Sequence, residues 1–154
     1  MAQEKKNAPP SEEHVFLRIL EMHATLSSAV NDFFKARDVS YPQFRVLQVL
    51  RASDSHNLPI LSIAHYLVTR EPDISRLVDR LEASGYVKRT RSSEDRRMVL
   101  VGLTKKGEKI VSDTLDPLRR FYRRQFQHLT ASELKQLDKL LLRIGDTNAL
   151  RANS

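Results

Sequence analysis

At 154 residues, with 40% hydrophobic and 29% charged residues, the chain fits one ordinary soluble domain. Its apolar stretches are a handful of residues long, far short of the ~20 that span a bilayer, and the polar N-terminus lacks the apolar core of a secretion signal, so a cytoplasmic protein without membrane partner is expected. The net charge of +7, from 26 Lys+Arg against 19 Asp+Glu, favours anionic partners such as nucleic acid or acidic lipid.

Residues 1–11 read as a disordered lead-in that includes Pro9-Pro10. From Ser11-Glu12-Glu13 onward Phe16, Ile19, Leu20, His23, Leu26, Ser27, Val30, Phe33 and Phe34 recur at three- and four-residue steps, one face of a helix of about 25 residues. That is longer than a small domain needs for its own core and suits an element that reaches a partner subunit. Tyr41-Pro42 opens a second helix with Phe44, Val46, Leu47 and Leu50 as its apolar side. A polar loop over 52–57 leads to a very short strand at 58–60 and a third helix through Leu67.

Pro72 starts the best-defined element. Ile74, Leu77, Val78 and Leu81 follow the i, i+3, i+4, i+7 rule, Asp73 suits the positive end of the helix dipole, and Gly85 followed by Tyr86 supplies a left-handed, Schellman-type stop. The period then changes. Residues 86–91 alternate, 98–103 are mostly apolar with β-branched members, and the polar stretch 92–97 between them has hairpin-loop length, so a two-stranded hairpin is expected. Thr104 caps a helix over 105–129, which Pro117 should kink near 113–116. Thr130-Ala131-Ser132-Glu133 is a capping box opening a last helix with Leu134, Leu137, Leu140, Leu141 and Ile144.

Short helix, tight turn, helix, charged hairpin is the winged helix-turn-helix order. A B-DNA major groove about 12 Å wide admits one α-helix, and the second helix of such a pair enters it. Opposite its apolar stripe the fourth helix presents Pro72, Asp73, Ser75, Arg76, Asp79 and Arg80. Arg76 sits early, where it can address guanine with two hydrogen bonds; Ser75 suits a base or a phosphate; Arg80, a turn later, suits backbone or Asp79. The competing reading is a solvated face of Asp/Arg pairs. Between residues 86 and 107, seven basic residues (Lys88, Arg89, Arg91, Arg96, Arg97, Lys105, Lys106) stand against Glu94 and Asp95, so a net +5 of the total +7 surrounds one hairpin. A charge run is commonly a solvated loop; beside a recognition helix it reads as a phosphate and minor-groove contact, with Asp95 orienting Arg97.

These segments resemble the MarR-type transcriptional regulators. The resemblance covers roughly residues 12–146. It rests on Ile63-Ala64-His65-Tyr66-Leu67, on Pro72-Asp73-Ile74-Ser75-Arg76-Leu77-Val78-Asp79-Arg80-Leu81-Glu82 with Gly85-Tyr86-Val87, and on Asp95-Arg96-Arg97 followed by Val101-Gly102-Leu103-Thr104-Lys105-Lys106-Gly107. It implies a mainly α fold, with a winged helix-turn-helix lobe over 42–104, dimerisation helices over 12–38 and 105–146, and a flexible C-terminus over 147–154. It implies a homodimer with two DNA-binding lobes, an arginine at Arg97 that enters the minor groove beside Asp95, and a DNA-reading helix over 72–84. Many members are released from DNA by small anionic or aromatic compounds bound between dimer helices and lobe. His23, Tyr41, Phe44 and Arg45 are the polar-aromatic candidates near that crevice, each with the alternative of a core or interface residue. His65 departs from the family's commonest pattern, where a charged residue is frequent, and Pro117 is peculiar to this chain.

The expected function is sequence-specific binding of double-stranded DNA by a nucleoid-associated regulator. Its rivals are a non-specific architectural DNA-binding protein and a winged-helix module that binds protein. An enzyme is not expected: there is no nucleophile–base pair at motif spacing, and only four glycines, none in a phosphate loop. The absence of cysteine excludes disulfides, thiolate nucleophiles, thiolate metal ligands and cysteine redox sensing, and five histidines without an HxxxH pair give no reason to expect a metal or cofactor.

Overall fold

The computed structural model describes residues 10–54, 57–67, 74–92 and 98–152, the last seven of them as backbone only. The element order is α1 (Glu12–Phe34), α2 (Tyr41–Ala52), β1 (Asn57–Pro59), α3 (Ile60–Tyr66), α4 (Ile74–Ala83), β2 (Val87–Arg91), β3 (Val99–Leu103), α5 (Lys105–Gln125) and α6 (Ala131–Ala152). The fold is mainly helical with one small antiparallel sheet. The chain divides into two compact units, Met1–Val111 and Ser112–Ser154, and α5 crosses the division.

Helix α1 starts where Ser11 accepts a hydrogen bond from the His14 N–H, and Glu12 and Glu13 occupy the dipole-favoured first turn. Its C-terminal end is anchored: Val30 and Phe34 are buried, and Phe34 packs on Phe44 and Tyr41 with ring centroids 5.3 and 5.6 Å apart. Farther up the helix Val15, Phe16, Leu17, Ile19, Leu20 and Met22 are 37–62% exposed in the single chain. Helix α2 opens on a reciprocal cap, with the Ser40 side chain accepting from the Gln43 N–H and the Gln43 side chain accepting from the Ser40 N–H; Pro42 sits in the first turn as expected.

The core of the first unit lies among α2, α3, α4 and the sheet. Phe44, Val46, Leu47, Leu50, Ile63, Val78, Leu81 and Val101 have no exposed surface, and Ile74, Leu77, Tyr86, Val87 and Leu103 are also buried. Each such aliphatic side chain contributes about 1.5–3 kcal/mol by leaving water. The stripe on α4 is the one its spacing predicts.

The expected two-stranded hairpin is one part of a three-stranded sheet, ordered β1-β3-β2. β1 pairs antiparallel with β3 in the register Asn57↔Gly102, Leu58↔Val101 and Pro59↔Leu100. Pro59, which lacks an N–H, is tolerated because β1 is an edge strand. The strand ends one residue earlier than expected because Ile60 begins α3 with Pro59 as its cap. In the second unit Thr130 and Glu133 form the anticipated capping box, and the bond from the Thr130 N–H holds the Glu133 carboxyl below the usual carboxylate range. Pro117 lies within α5. Helix α6 continues to Ala152, past the expected end at 146, because no proline or left-handed glycine follows Ile144 to stop it.

Candidate nucleic-acid interface

Helix α4 is held in place from its C-terminal end. Gly85 takes φ +74°, the Tyr86 N–H donates to the Leu81 carbonyl at 2.9 Å and the Gly85 N–H to the Glu82 carbonyl at 2.9 Å, the paired bonds of a Schellman stop. The start of α5 locks onto the same point. The Thr104 hydroxyl lies 2.7 Å from the Gly85 carbonyl and donates to it, and its oxygen accepts the Gly107 N–H at 3.1 Å, so one residue caps α5 and closes α4. Lys106 Nζ donates to the Ser84 carbonyl at 2.8 Å and stands 4.6 Å from the Tyr86 ring centroid. The Tyr86 hydroxyl reaches Asp38 at 3.5 Å, and burial first, then the Asp38 charge, pushes that phenol above its ordinary pKa.

With its apolar side fixed inward, α4 turns Ser75, Arg76, Asp79 and Arg80 to solvent. On β2, Lys88 and Arg91 are exposed while Val87 is buried. Ser75, Arg76, Arg80, Lys88 and Arg91 therefore all stand on accessible surface of the first unit. Pro72 and Asp73, and the loop residues Asp95, Arg96 and Arg97, lie outside the described residues.

Arg89 behaves differently from the rest of the set. Its side chain is 27% exposed and forks across two carboxylates of α4, with Nη2 2.6 Å from Asp79 Oδ1 and Nη1 2.7 Å from Glu82 Oε2; its backbone N–H donates to Glu82 Oε1 at 2.9 Å. The bond to Asp79, with Glu82 adding, raises the guanidinium above its already high pKa against the opposing effect of burial. Arg89 and Lys106, counted by sequence among the basic residues around the hairpin, are thus engaged within the protein. Asp79 serves Arg89, ten positions along the chain, where local reasoning offered Asp79 or DNA backbone as partners of Arg80. No local signal marks that partnership, because it depends on where β2 crosses α4.

The four effector candidates do not form one cluster. Phe44 is sealed in the core, with no exposed surface. Tyr41 and Arg45 are half-buried on α2, and Arg45 Nη1 lies 3.5 Å from Gln48 Oε1. His23 is exposed on α1, its Nε2 3.4 Å from Ser27 Oγ; eleven positions before Phe34, it stands about 16 Å up the helix at 1.5 Å per residue. Among the described residues no group of three or more His, Asp or Glu is arranged to hold a metal, and no helix is long and apolar enough to cross a membrane.

A family model described as transcriptional regulator SarA/Rot matches residues 29–114, more than half the chain, including α4, the hairpin and the start of α5. The chain belongs to the MarR/SarA-type transcriptional regulators. It is a winged helix-turn-helix protein that binds DNA. Over 149 residues this regulator is 28% identical to the HTH-type transcriptional regulator PapX of Escherichia coli, covering 94% of this chain and 91% of PapX. It is 25% identical over 132 residues to the transcriptional repressor MprA of Escherichia coli, covering 85% and 75% of the two chains. A mutant MarR of Escherichia coli, solved in complex with operator DNA, superimposes with a TM-score of 0.74 at 26% identity, covering 82% of this chain and 91% of that one.

Proposed function

We propose that this regulator is a homodimeric repressor that reads a pseudo-palindromic operator through the exposed face of α4 and the basic hairpin beside it. The observation that carries this reading is the opposition on α4: Ile74, Leu77, Val78 and Leu81 are buried, while Ser75, Arg76 and Arg80 face solvent, as do Lys88 and Arg91 on β2. Base contacts fall to Arg76 and Ser75, phosphate contacts to Arg80, Lys88 and Arg91. Pro72 and Asp73 at the head of the helix, and Asp95, Arg96 and Arg97 in the wing loop, complete the assigned set. The naming of MprA as a repressor and the complex of a MarR protein with operator DNA support the assignment.

The lobe spans 42–104 and pairing falls to 12–38 and 105–146. Two sets of exposed apolar side chains support the dimer: Phe16, Leu17 and Leu20 on α1, and Leu140, Leu141 and Leu142 on α6, all between 44 and 62% exposed in the single chain. Two-fold pairing places the half-sites about 34–36 Å apart, one helical turn. Sedimentation at micromolar concentration is expected to give a dimer; a monomer removes this part of the reading. A small aromatic or anionic effector, received beside Tyr41 and Arg45 with His23 farther along α1, would release DNA by favouring a lobe spacing that mismatches the grooves. The protein works in the cytoplasm, on the nucleoid.

Selection of bound fragments from genomic DNA tests the core of this proposal. A recovered duplex should bind ~10³-fold or more tighter than random sequence; an equal affinity for both would instead describe an architectural protein. On the recovered duplex Arg76→Ala is expected to cost ~1–3 kcal/mol and relax preference at one base pair, measured by titration against single-base variants. An unchanged preference at every position would remove Arg76 from the reading set.

A further inference from the structure

We propose that Arg89 is a positioning residue for DNA recognition, a brace that locks strand β2 to the DNA-facing helix and silences the acidic charge of Asp79 on that helix's exposed arc. The proposal rests on the assignment of α4 as the reading helix.

Three bonds make the brace. Asp79 and Glu82 stand one turn apart on α4, and the planar guanidinium of Arg89 spans them with charge-assisted bonds of 2.6 and 2.7 Å. Glu82 does double duty, because its other oxygen takes the Arg89 backbone N–H at 2.9 Å. That N–H points off the edge of the sheet, since among the described residues β2 pairs with β3 alone in the order β1-β3-β2. The strand is therefore tied to the helix by both backbone and side chain, and an edge that would otherwise be open is closed. The Gly85 stop, and Thr104 and Lys106 on the Ser84–Tyr86 segment, act at the C-terminal end of α4. Asp79 lies more than a turn inside the helix, so Arg89 fixes the hairpin at a second point and sets its angle to α4.

The charge argument gives the proposal its sign. Asp79 is 59% exposed and shares its arc with Ser75, Arg76 and Arg80. A bare carboxylate there would repel phosphate, so simple electrostatics says that removing it tightens DNA binding. If Asp79 instead holds Arg89 and the wing in register, removing it weakens specific binding although the protein becomes more positive. Arg89 itself, with Nη1 and Nη2 both committed to carboxylates, orients the wing and leaves phosphate contact to its exposed neighbours Lys88 and Arg91.

The full-length protein is titrated by fluorescence anisotropy against the duplex recovered from genomic selection and against a random-sequence duplex, across a salt series. Asp79→Asn, Arg89→Ala and Arg89→Lys are each expected to weaken binding to the recovered duplex about fivefold or more, the scale of a broken contact pair. Binding to random DNA should stay within about twofold, and the salt slope should stay that of the parent. The double variant Asp79→Asn/Arg89→Ala should be no worse than the weaker single one. Failure of Arg89→Lys to rescue would fit the loss of a fork that a lysine cannot span. Thermal melts of the three single variants within a few degrees of the parent keep unfolding out of the comparison, and any variant that melts early is replaced by the other two. The brace is overturned if Asp79→Asn binds the recovered duplex as tightly as the parent or tighter. It is equally overturned if Arg89→Ala lowers the salt slope by about 0.9, the mark of one lost phosphate contact. If no duplex is preferred over random sequence, the reading of α4 falls first; a preferred duplex with an unaffected Asp79→Asn removes only the brace.

Discussion

Phe44→Ala is expected to destabilise the protein by about 3–5 kcal/mol, a large share of the ~5–15 kcal/mol that holds a domain of this kind together. The ring has no exposed surface, and it lies against Phe34 with centroids 5.3 Å apart while its own helix carries Val46, Leu47 and Leu50 into the same core. Truncation removes apolar area that was fully out of water and leaves a cavity where Phe34 of α1 met the ring. Sequence spacing puts this residue on the apolar side of its helix, while the family resemblance left open a role in holding an effector. The two roles separate in a urea melt without any ligand: packing predicts the full loss, whereas a surface contact predicts a change below about 1 kcal/mol. A melt close to that of the parent would show that the ring is not part of the core.

Gly107→Ala should cost about 3 kcal/mol or more, and the reason is steric. A Cβ at this position would come within 2.1 Å of the Tyr86 carbonyl oxygen and 3.0 Å of Leu103 Cδ2. The first obstacle is backbone, so no rotamer change relieves it. The start of α5 would have to move away from Tyr86, and with it would go the Thr104 hydroxyl that accepts the Gly107 N–H and bonds Gly85, together with the Lys106 contact to Ser84. Those contacts close the C-terminal end of α4, so loss of stability should be accompanied by loss of DNA binding at temperatures where the parent still binds. Gly145→Ala is the internal control. It lies inside α6 with nothing within 4 Å of the added carbon, and should be neutral or stabilising by up to ~1 kcal/mol through reduced backbone freedom in the unfolded chain. Equal effects of the two substitutions in thermal melts would contradict the close approach at Gly107.

Much of the architecture was legible because it is encoded over short spans. The α4 stripe, the Gly85 stop, the Thr104 cap and the Thr130–Glu133 box are patterns within a few residues, and each appears in the structure where the spacing puts it. The Ser40–Gln43 box is equally local, three residues apart at the start that Pro42 also marks. Features that join distant segments were not legible. The β1–β3 pairing brings Asn57 to Gly102, and nothing in three residues of β1 names its partner. Gly107 stood in the sequence as part of a motif, and only the approach of Tyr86 shows why no side chain fits there.

The candidate interface divides along the same line. The residue types and the period of α4 were enough to say which side of that helix meets solvent, since 3.6 residues per turn leaves little freedom once four apolar positions must be buried. They were not enough to say what each charge does. Arg89 and Arg91 are alike in sequence, two positions apart on one strand, yet Arg89 is held by Asp79 and Glu82 while Arg91 faces solvent. A guanidinium goes to whichever carboxylates the fold brings within about 3 Å. That distance is set by how the sheet packs on the helix, a property of the tertiary structure which no local pattern of residues contains.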